Sequence, residues 1–181
     1  MLNHLYHLLA CLAVITASVG CNQSATPSAA PASTTASAVT PPTSNVLLRE
    51  QPAGAKPVGD LRASTTDGAE VTILGRIGGD TNPWVEGRAA FTIVDPKLEP
   101  CKPDEGCPTP WDYCCSTDLI PANRAMIKIV DTAGGTIEQD ARKLLGVKEL
   151  QMVMVTGKAK RDEAGNLTVL ANGVYLVPEQ K

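Results

Sequence analysis

Apolar and polar residues alternate along five short runs between Glu70 and Val177. Glu70-Val-Thr-Ile-Leu-Gly-Arg-Ile77 puts Val71, Ile73 and Gly75 on one face, the period-two pattern of a half-buried strand. Gly75 in mid-strand predicts a sharp bend or bulge. The second run is Arg88 to Val94, closed by Asp95-Pro96, and the third is Ala125 to Val130, closed by Asp131 and Gly134-Gly135. The period then changes. Ile137, Ala141, Leu144 and Leu145 recur at helical spacing, with Thr136 and Gln139 placed for a capping box and Gly146 for a C-cap. Leu150 to Ala159 and Asn166 to Ala171 are the fourth and fifth strands, the last extending through Tyr175-Leu-Val177. Pro57 to Arg62 leads in as a short helix.

The order β-β-β-α-β-β predicts a mainly β domain. Its expected form is a five-stranded Greek-key barrel with one short helix between strands three and four, the arrangement of an OB-fold. An SH3-like barrel is the competing architecture. Gly75-Arg76, Phe91-Thr-Ile-Val-Asp95 and Val155-Thr-Gly157 resemble OB domains of the anticodon-binding type, over residues 70–177. The departure from that pattern is a long Cys-rich insertion, residues 96–123, between strands two and three. Connections of that length are usually functional or separately stabilised. Gly75-Arg-Ile-Gly-Gly79, Phe91-Thr-Ile-Val-Asp-Pro96 and Cys107-Pro-Thr-Pro-Trp-Asp-Tyr-Cys-Cys115 together resemble a group of predicted bacterial lipoproteins without an assigned activity. That resemblance implies architecture and location, and no reaction.

The region before the strands reads as delivery. Residues 1–21 contain no Asp, Glu, Lys or Arg, and Leu8 to Val19 is an apolar run of 12 residues. It is too short to span a bilayer and suits a signal-peptide core. Ser18-Val-Gly-Cys21 resembles a bacterial lipobox, which implies acylation of Cys21 after cleavage of residues 1–20. Ser18 stands where Leu is usual, and His4 and His7 replace the usual basic residues. Residues 22–45 are Ala, Ser, Thr or Pro at 20 of 24 positions, without charge. Such a tract cannot bury enough apolar surface to order itself, so residues 21–56 are expected to tether a folded domain at 57–178. Asn22 after Cys21, by analogy with lipoprotein sorting, points to the outer membrane, periplasmic side.

Cleavage would remove both histidines and Cys11. The mature chain then lacks Ser-His-Asp and Cys-His catalysis and His-ligated metal sites, so no enzymatic activity is expected. With net charge −3, pI about 5.4 and 3% aromatics, it has no basic field and few stacking platforms for nucleic acid. No pair of carboxylates has a spacing that forces acid and base roles.

What remains is C-x5-C-x6-C-C: Cys101, Cys107, Cys114 and Cys115. In an oxidising compartment four cysteines read first as two disulfides, with Cys114 and Cys115 each bonded to Cys101 or Cys107 and the pairing open. No cofactor is expected on that reading. The alternative is a four-thiolate site for zinc or copper(I); a redox-active vicinal pair is a third. Trp111, Asp112 and Tyr113, with Trp84 and Arg88, are candidates for a contact surface, the aromatics serving as anchors. Trp111 could instead plug an open end of the barrel. The expected function is a lipid-anchored envelope module that binds a protein, peptide or glycan. A cysteine-based metal or redox protein is the alternative, and an oligonucleotide-binding OB-fold the third.

Overall fold

A computed structural model of the protein describes residues 46–179, so the expected signal peptide, Cys21 and most of the expected tether lie outside the described residues. The strands are β1 (Lys56–Pro57), β2 (Glu70–Ile77), β3 (Ala90–Val94), β4 (Arg124–Ile129), β5 (Met152–Arg161) and β6 (Leu167–Leu176). The helices are α1 (Val58–Ser64), α2 (Ile120–Asn123) and α3 (Ala141–Leu145). The five alternating runs of the sequence are β2 to β6.

Pairing closes these five into a barrel. β2 is antiparallel to β3 and β5, β3 to β4, and β5 to β6, while β4 and β6 run parallel. The circuit β2-β3-β4-β6-β5-β2 gives each of the five two neighbours within the barrel and closes it on itself, with β1 added beside β2. This is the mainly β, OB-fold-like barrel that the element order predicts. α3 lies between the third and fourth barrel strands, and the long insertion between the second and third. Among the described residues no helix is long and apolar enough to cross a membrane.

Alternation explains the core. Ile73 and Ile77, Phe91 and Ile93, Ile127 and Ile129, Val153 and Val155, and Val169 are all buried in one cluster. Each contributes roughly 1.5–3 kcal/mol by leaving water. β3 departs from alternation, since all five of its residues are buried. The insertion covers its outer face: Val94 packs with Leu98, Tyr113 and Ile120 in a second, smaller cluster.

Gly75 serves a close approach and is not a bulge. A Cβ there would stand 2.7 Å from Ile93 Cδ1 and 2.9 Å from the Val94 carbonyl oxygen. The irregularity in the sheet falls between Thr156 and Gly157 of β5, where a side chain on Gly157 would overlap the Leu170 carbonyl.

The helix starts later than its periodicity suggests. Asp140 is the N-cap of α3, its Oδ1 accepting from Arg142 N at 2.9 Å. Thr136 instead bridges Val130 across the preceding turn, so the expected Thr136–Gln139 box does not form. Asp140 is the better cap because its carboxylate also meets the Arg142 guanidinium at 2.6 Å. That contact, above all, holds the Asp140 acid down at about 2. Gly146 ends the helix in the left-handed region, with φ 70°, as expected of a C-cap.

Ordered packing reaches back to Val46, inside the segment that composition assigns to the tether. Val174 N donates to Val46 O at 2.7 Å, and Leu48 N donates to Val174 O at 2.8 Å. Lys56 and Pro57 pair with Ile73 and Leu74. Val46-Leu-Leu48 is the first apolar triplet after the Ala/Ser/Thr/Pro tract, and its Val46 joins the barrel core.

Replacing Gly75 with Ala is expected to cost about 1–3 kcal/mol through overpacking, read as a lower denaturant midpoint with an unchanged slope. Asp140→Ala is expected to cost about 1 kcal/mol at neutral pH. The folded-state acid is depressed, so its stabilisation is complete above the unfolded value of about 4. It is lost as pH falls toward about 2, where more protons are bound by the unfolded chain. Denaturation of both proteins at several pH values between neutrality and that limit should show the gap closing; a constant gap would rule the carboxylate out as its source.

Candidate metal centre

The insertion leaves and rejoins the barrel at a narrow neck. Asp95 N donates to Asn123 O at 2.8 Å. The buried Asp95 carboxylate accepts from Gly59 N at 2.7 Å and Lys97 N at 3.0 Å. Buried Asn123 donates to Leu119 O at 2.9 Å. Beyond the neck the chain makes three short 3-10 turns, Pro103–Glu105, Pro110–Asp112 and Cys114–Ser116. Proline opens the first two, where its missing N–H has no partner to lose. Cys101 N donates to Pro110 O at 3.1 Å and ties the first part of the insertion to the second.

Two contacts fasten the insertion to the end of β2. Gly79 N donates to Trp111 O at 2.8 Å, and the Trp111 indole donates to Thr81 O at 3.1 Å. Any Cβ on Gly78 would lie 2.5 Å from that same Trp111 oxygen. Arg76 donates to the Leu98 carbonyl at 3.1 Å.

Tyr113 then reverses the chain. Its φ is +57°, in the left-handed region that costs a bulky residue about 1–2 kcal/mol. The ring is fully buried beside Val94, Leu98 and Ile120. Its hydroxyl is buried without a hydrogen-bond partner. Burial raises the phenol above its ordinary value, and Arg76 nearby pulls the other way although its own hydrogen bond goes to Leu98. Asp112 secures the turn: Oδ2 accepts from the Thr109 hydroxyl at 2.6 Å and Oδ1 from Cys114 N at 2.9 Å. These donors, the threonine first, hold its acid below the usual carboxylate range.

The reversal brings all four cysteines together. Their sulfurs lie within 4.8 Å of one another. Cys114 Sγ is 3.4 Å from Cys101 Sγ, 2.7 Å from Cys107 Sγ and 3.9 Å from Cys115 Sγ; Cys107 and Cys115 are 3.8 Å apart. No pair stands at the disulfide distance of about 2.05 Å, and all four are free thiols in this structure. A tetrahedral ion with metal–sulfur bonds of about 2.3 Å separates its sulfurs by about 3.8 Å. Two of the separations above, 3.8 and 3.9 Å, fall close to that value, and the other two, 3.4 and 2.7 Å, are shorter.

The thiols are unequal. Cys101 is covered, 6% exposed, though it lies just beneath the surface. The Cys115 backbone N–H, and then the other three thiols, favour a thiolate there and lower its pKa, against the effect of burial. Cys107 is pushed up, chiefly by its contact with Cys114. Cys115 is pushed up to about 12, chiefly by Cys101. One anion at Cys101 is therefore solvated by its neighbours' protons and resists further ionisation beside it. Ionising the whole set requires a cation among the sulfurs.

The five candidates for a contact surface separate into two groups. Trp84 is buried, its indole donating to Glu149 Oε1 at 2.6 Å, with the Phe91 ring 5.9 Å away and the Arg142 guanidinium 5.4 Å above it. Arg88 pairs with Glu138 at 3.0 Å near α3. Trp84 belongs to the main core and Tyr113 to the smaller cluster, so neither aromatic is available as an anchor. Tyr113, and not Trp111, is the buried aromatic of the insertion; Trp111 is half-buried and Asp112 is spent on the turn. Asp104 and Glu105, with Asp112, read from the sequence as either a cation-binding set or turn residues, and Glu105 is the one that the fold sets beside a sulfur. Its Oε2 lies 3.7 Å from Cys115 Sγ, and only the fold brings it there. Compared with protein families and with curated proteins, the chain matches none.

Tyr113→Phe is expected to leave stability unchanged or raise it by about 1 kcal/mol, because it deletes an unpaired buried hydroxyl. Tyr113→Ala is expected to cost about 3–5 kcal/mol by emptying the smaller cluster. Urea denaturation of the three proteins checks both; a Phe variant as damaged as the Ala variant would show that the hydroxyl has a partner.

Proposed function

We propose that this chain is an exported metal-binding module, an OB-fold-like barrel that holds one zinc ion in the thiolates of Cys101, Cys107, Cys114 and Cys115. The observation that carries this reading is the cluster of four sulfurs, none at disulfide distance. A tetrahedral four-sulfur set suits zinc, with copper(I) as the soft competitor. Without His4 and His7 the thiols are the strongest ligands for a soft metal in the mature chain. The apolar run before Cys21 and the uncharged tract after it support carriage on a lipid at Cys21, at the periplasmic side of the outer membrane. The resemblance to predicted lipoproteins supports the same placement.

A stapled loop is the second reading. The 2.7 Å approach of Cys107 to Cys114 favours it, since that pair needs little movement to oxidise. One sample separates the two. Purified from the exported fraction without chelator, the full-length protein is expected to carry about one zinc per chain by elemental analysis. Thiol titration after denaturation in chelator is expected to find all four cysteines of the insertion reduced. No metal and no free thiol would establish the stapled loop in its place.

A further inference from the structure

The proposed centre has a closed side and an open side. Cys101 is buried, Cys107 is half-buried, and Cys114 and Cys115 are exposed. Cys114 is the hub, with all three other sulfurs within 3.9 Å. Cys115 lies at the outer edge, with 3.8 and 3.9 Å to its nearest sulfurs. Two of the four thiols therefore face solvent, where a ligand from outside can reach them.

A carboxylate stands at the open edge. Glu105 Oε2 is 3.7 Å from Cys115 Sγ. The carboxylate is aimed by its own turn: the same oxygen accepts from Lys102 N at 2.7 Å, and Glu105 N donates to Lys102 O at 3.0 Å. Carboxylate oxygen is a competent zinc ligand, and zinc expands readily from four to five ligands. An oxygen held beside the exposed sulfur of Cys115 is therefore placed to enter as that sulfur leaves.

Resting on the four-thiolate reading above, we propose that the centre is an exchange site, in which Cys115 is the thiolate that leaves the ion, Glu105 is the carboxylate that replaces it, and the ion passes to an external ligand from that edge. The step is a ligand substitution. The Cys115 sulfur keeps the electron pair of the bond that breaks and takes a proton from solvent. A Glu105 oxygen supplies the pair for the bond that forms, and the external ligand then displaces that oxygen. Neither the ion nor any sulfur changes oxidation state. Cys101, Cys107 and Cys114 hold the ion while the external ligand enters; their bonds then break in turn as further donor atoms of that ligand bind, each sulfur keeping its electron pair and taking a proton from solvent.

The test uses the full-length protein loaded with zinc and the chromophoric chelator 4-(2-pyridylazo)resorcinol. Transfer is followed by stopped-flow absorbance, and affinity by equilibrium competition. The transfer rate is expected to rise in proportion to chelator concentration. Glu105→Gln keeps an acceptor for Lys102 N and removes the charged oxygen. It is expected to slow both transfer and uptake by about tenfold, the scale on which groups beyond the main ligands act, with affinity and stoichiometry unchanged. Cys115→Ser is expected to retain one ion at reduced affinity, whereas Cys101→Ser loses it. A rate independent of chelator, a Glu105→Gln variant that matches the parent, or one whose affinity falls with its rate overturns the exchange role while leaving the metal centre in place. A protein that takes up no zinc overturns both.

Discussion

The double pairing of β2 is the constraint on which the molecule depends. Against β5 it is paired along seven residues, from Glu70 to Arg76, but against β3 only at Arg76 and Ile77. The barrel is closed by that short second seam. Gly75 sits directly before it, and any side chain there would press on Ile93 and Val94, the two β3 residues in the seam's register. The seam continues past the strand. Gly78 N donates to Thr92 O at 3.1 Å, and the Thr92 hydroxyl returns to Gly78 O at 2.8 Å. Gly79 N then takes the Trp111 carbonyl. Barrel closure and docking of the insertion are thus one continuous run of hydrogen bonds.

The insertion accepts two local costs at Tyr113, a left-handed backbone and an unpaired buried hydroxyl. Both are consequences of asking one residue to turn the chain and to fill the space over Val94. Glycine would turn without strain and leave that space empty. Burial of an aromatic ring outweighs both costs. The turn is what sets the direction of Cys114 and Cys115, so the position of the sulfurs follows from the packing of a side chain that touches no ligand.

Much of the fold was legible because it is encoded locally. Period-two alternation marks β2 to β6, and the change of period marks α3. The boundaries were less legible. Thr136 and Asp140 are both acceptable caps by type, and the choice fell to Asp140 through Arg142, a partner two residues away that also reaches Glu86 at 3.1 Å. Gly75 read as a bulge because sequence registers a missing side chain and not what approaches it. The centre was legible as four cysteines, but their state was not. Disulfide pairing and metal ligation use the same residues at the same spacing, so a list of cysteines does not choose between them. Glu105 and Tyr113 owe their roles to contacts made by the folded insertion, which no periodicity announces. Trp84 was a contact-surface candidate by residue type, and its ring lies under the Arg142 guanidinium.

The two hydrophobic clusters have separate work. The larger is made by the barrel, α1 and α3, together with Val46; the smaller holds the insertion to β3 through Val94, Leu98, Tyr113 and Ile120. None of the four cysteines belongs to either cluster. In small metal domains that lack a core, binding free energy is folding free energy, and losing the ion unfolds the chain. Here the barrel has its own core, and Tyr113 fixes the insertion independently of the sulfurs. The binding energy of the proposed ion would therefore be confined to ordering the turns that carry Cys101, Cys107, Cys114 and Cys115. A centre built in this way can gain and lose its ion while the scaffold beneath it stays folded, which is the physical condition that an exposed, exchangeable site requires.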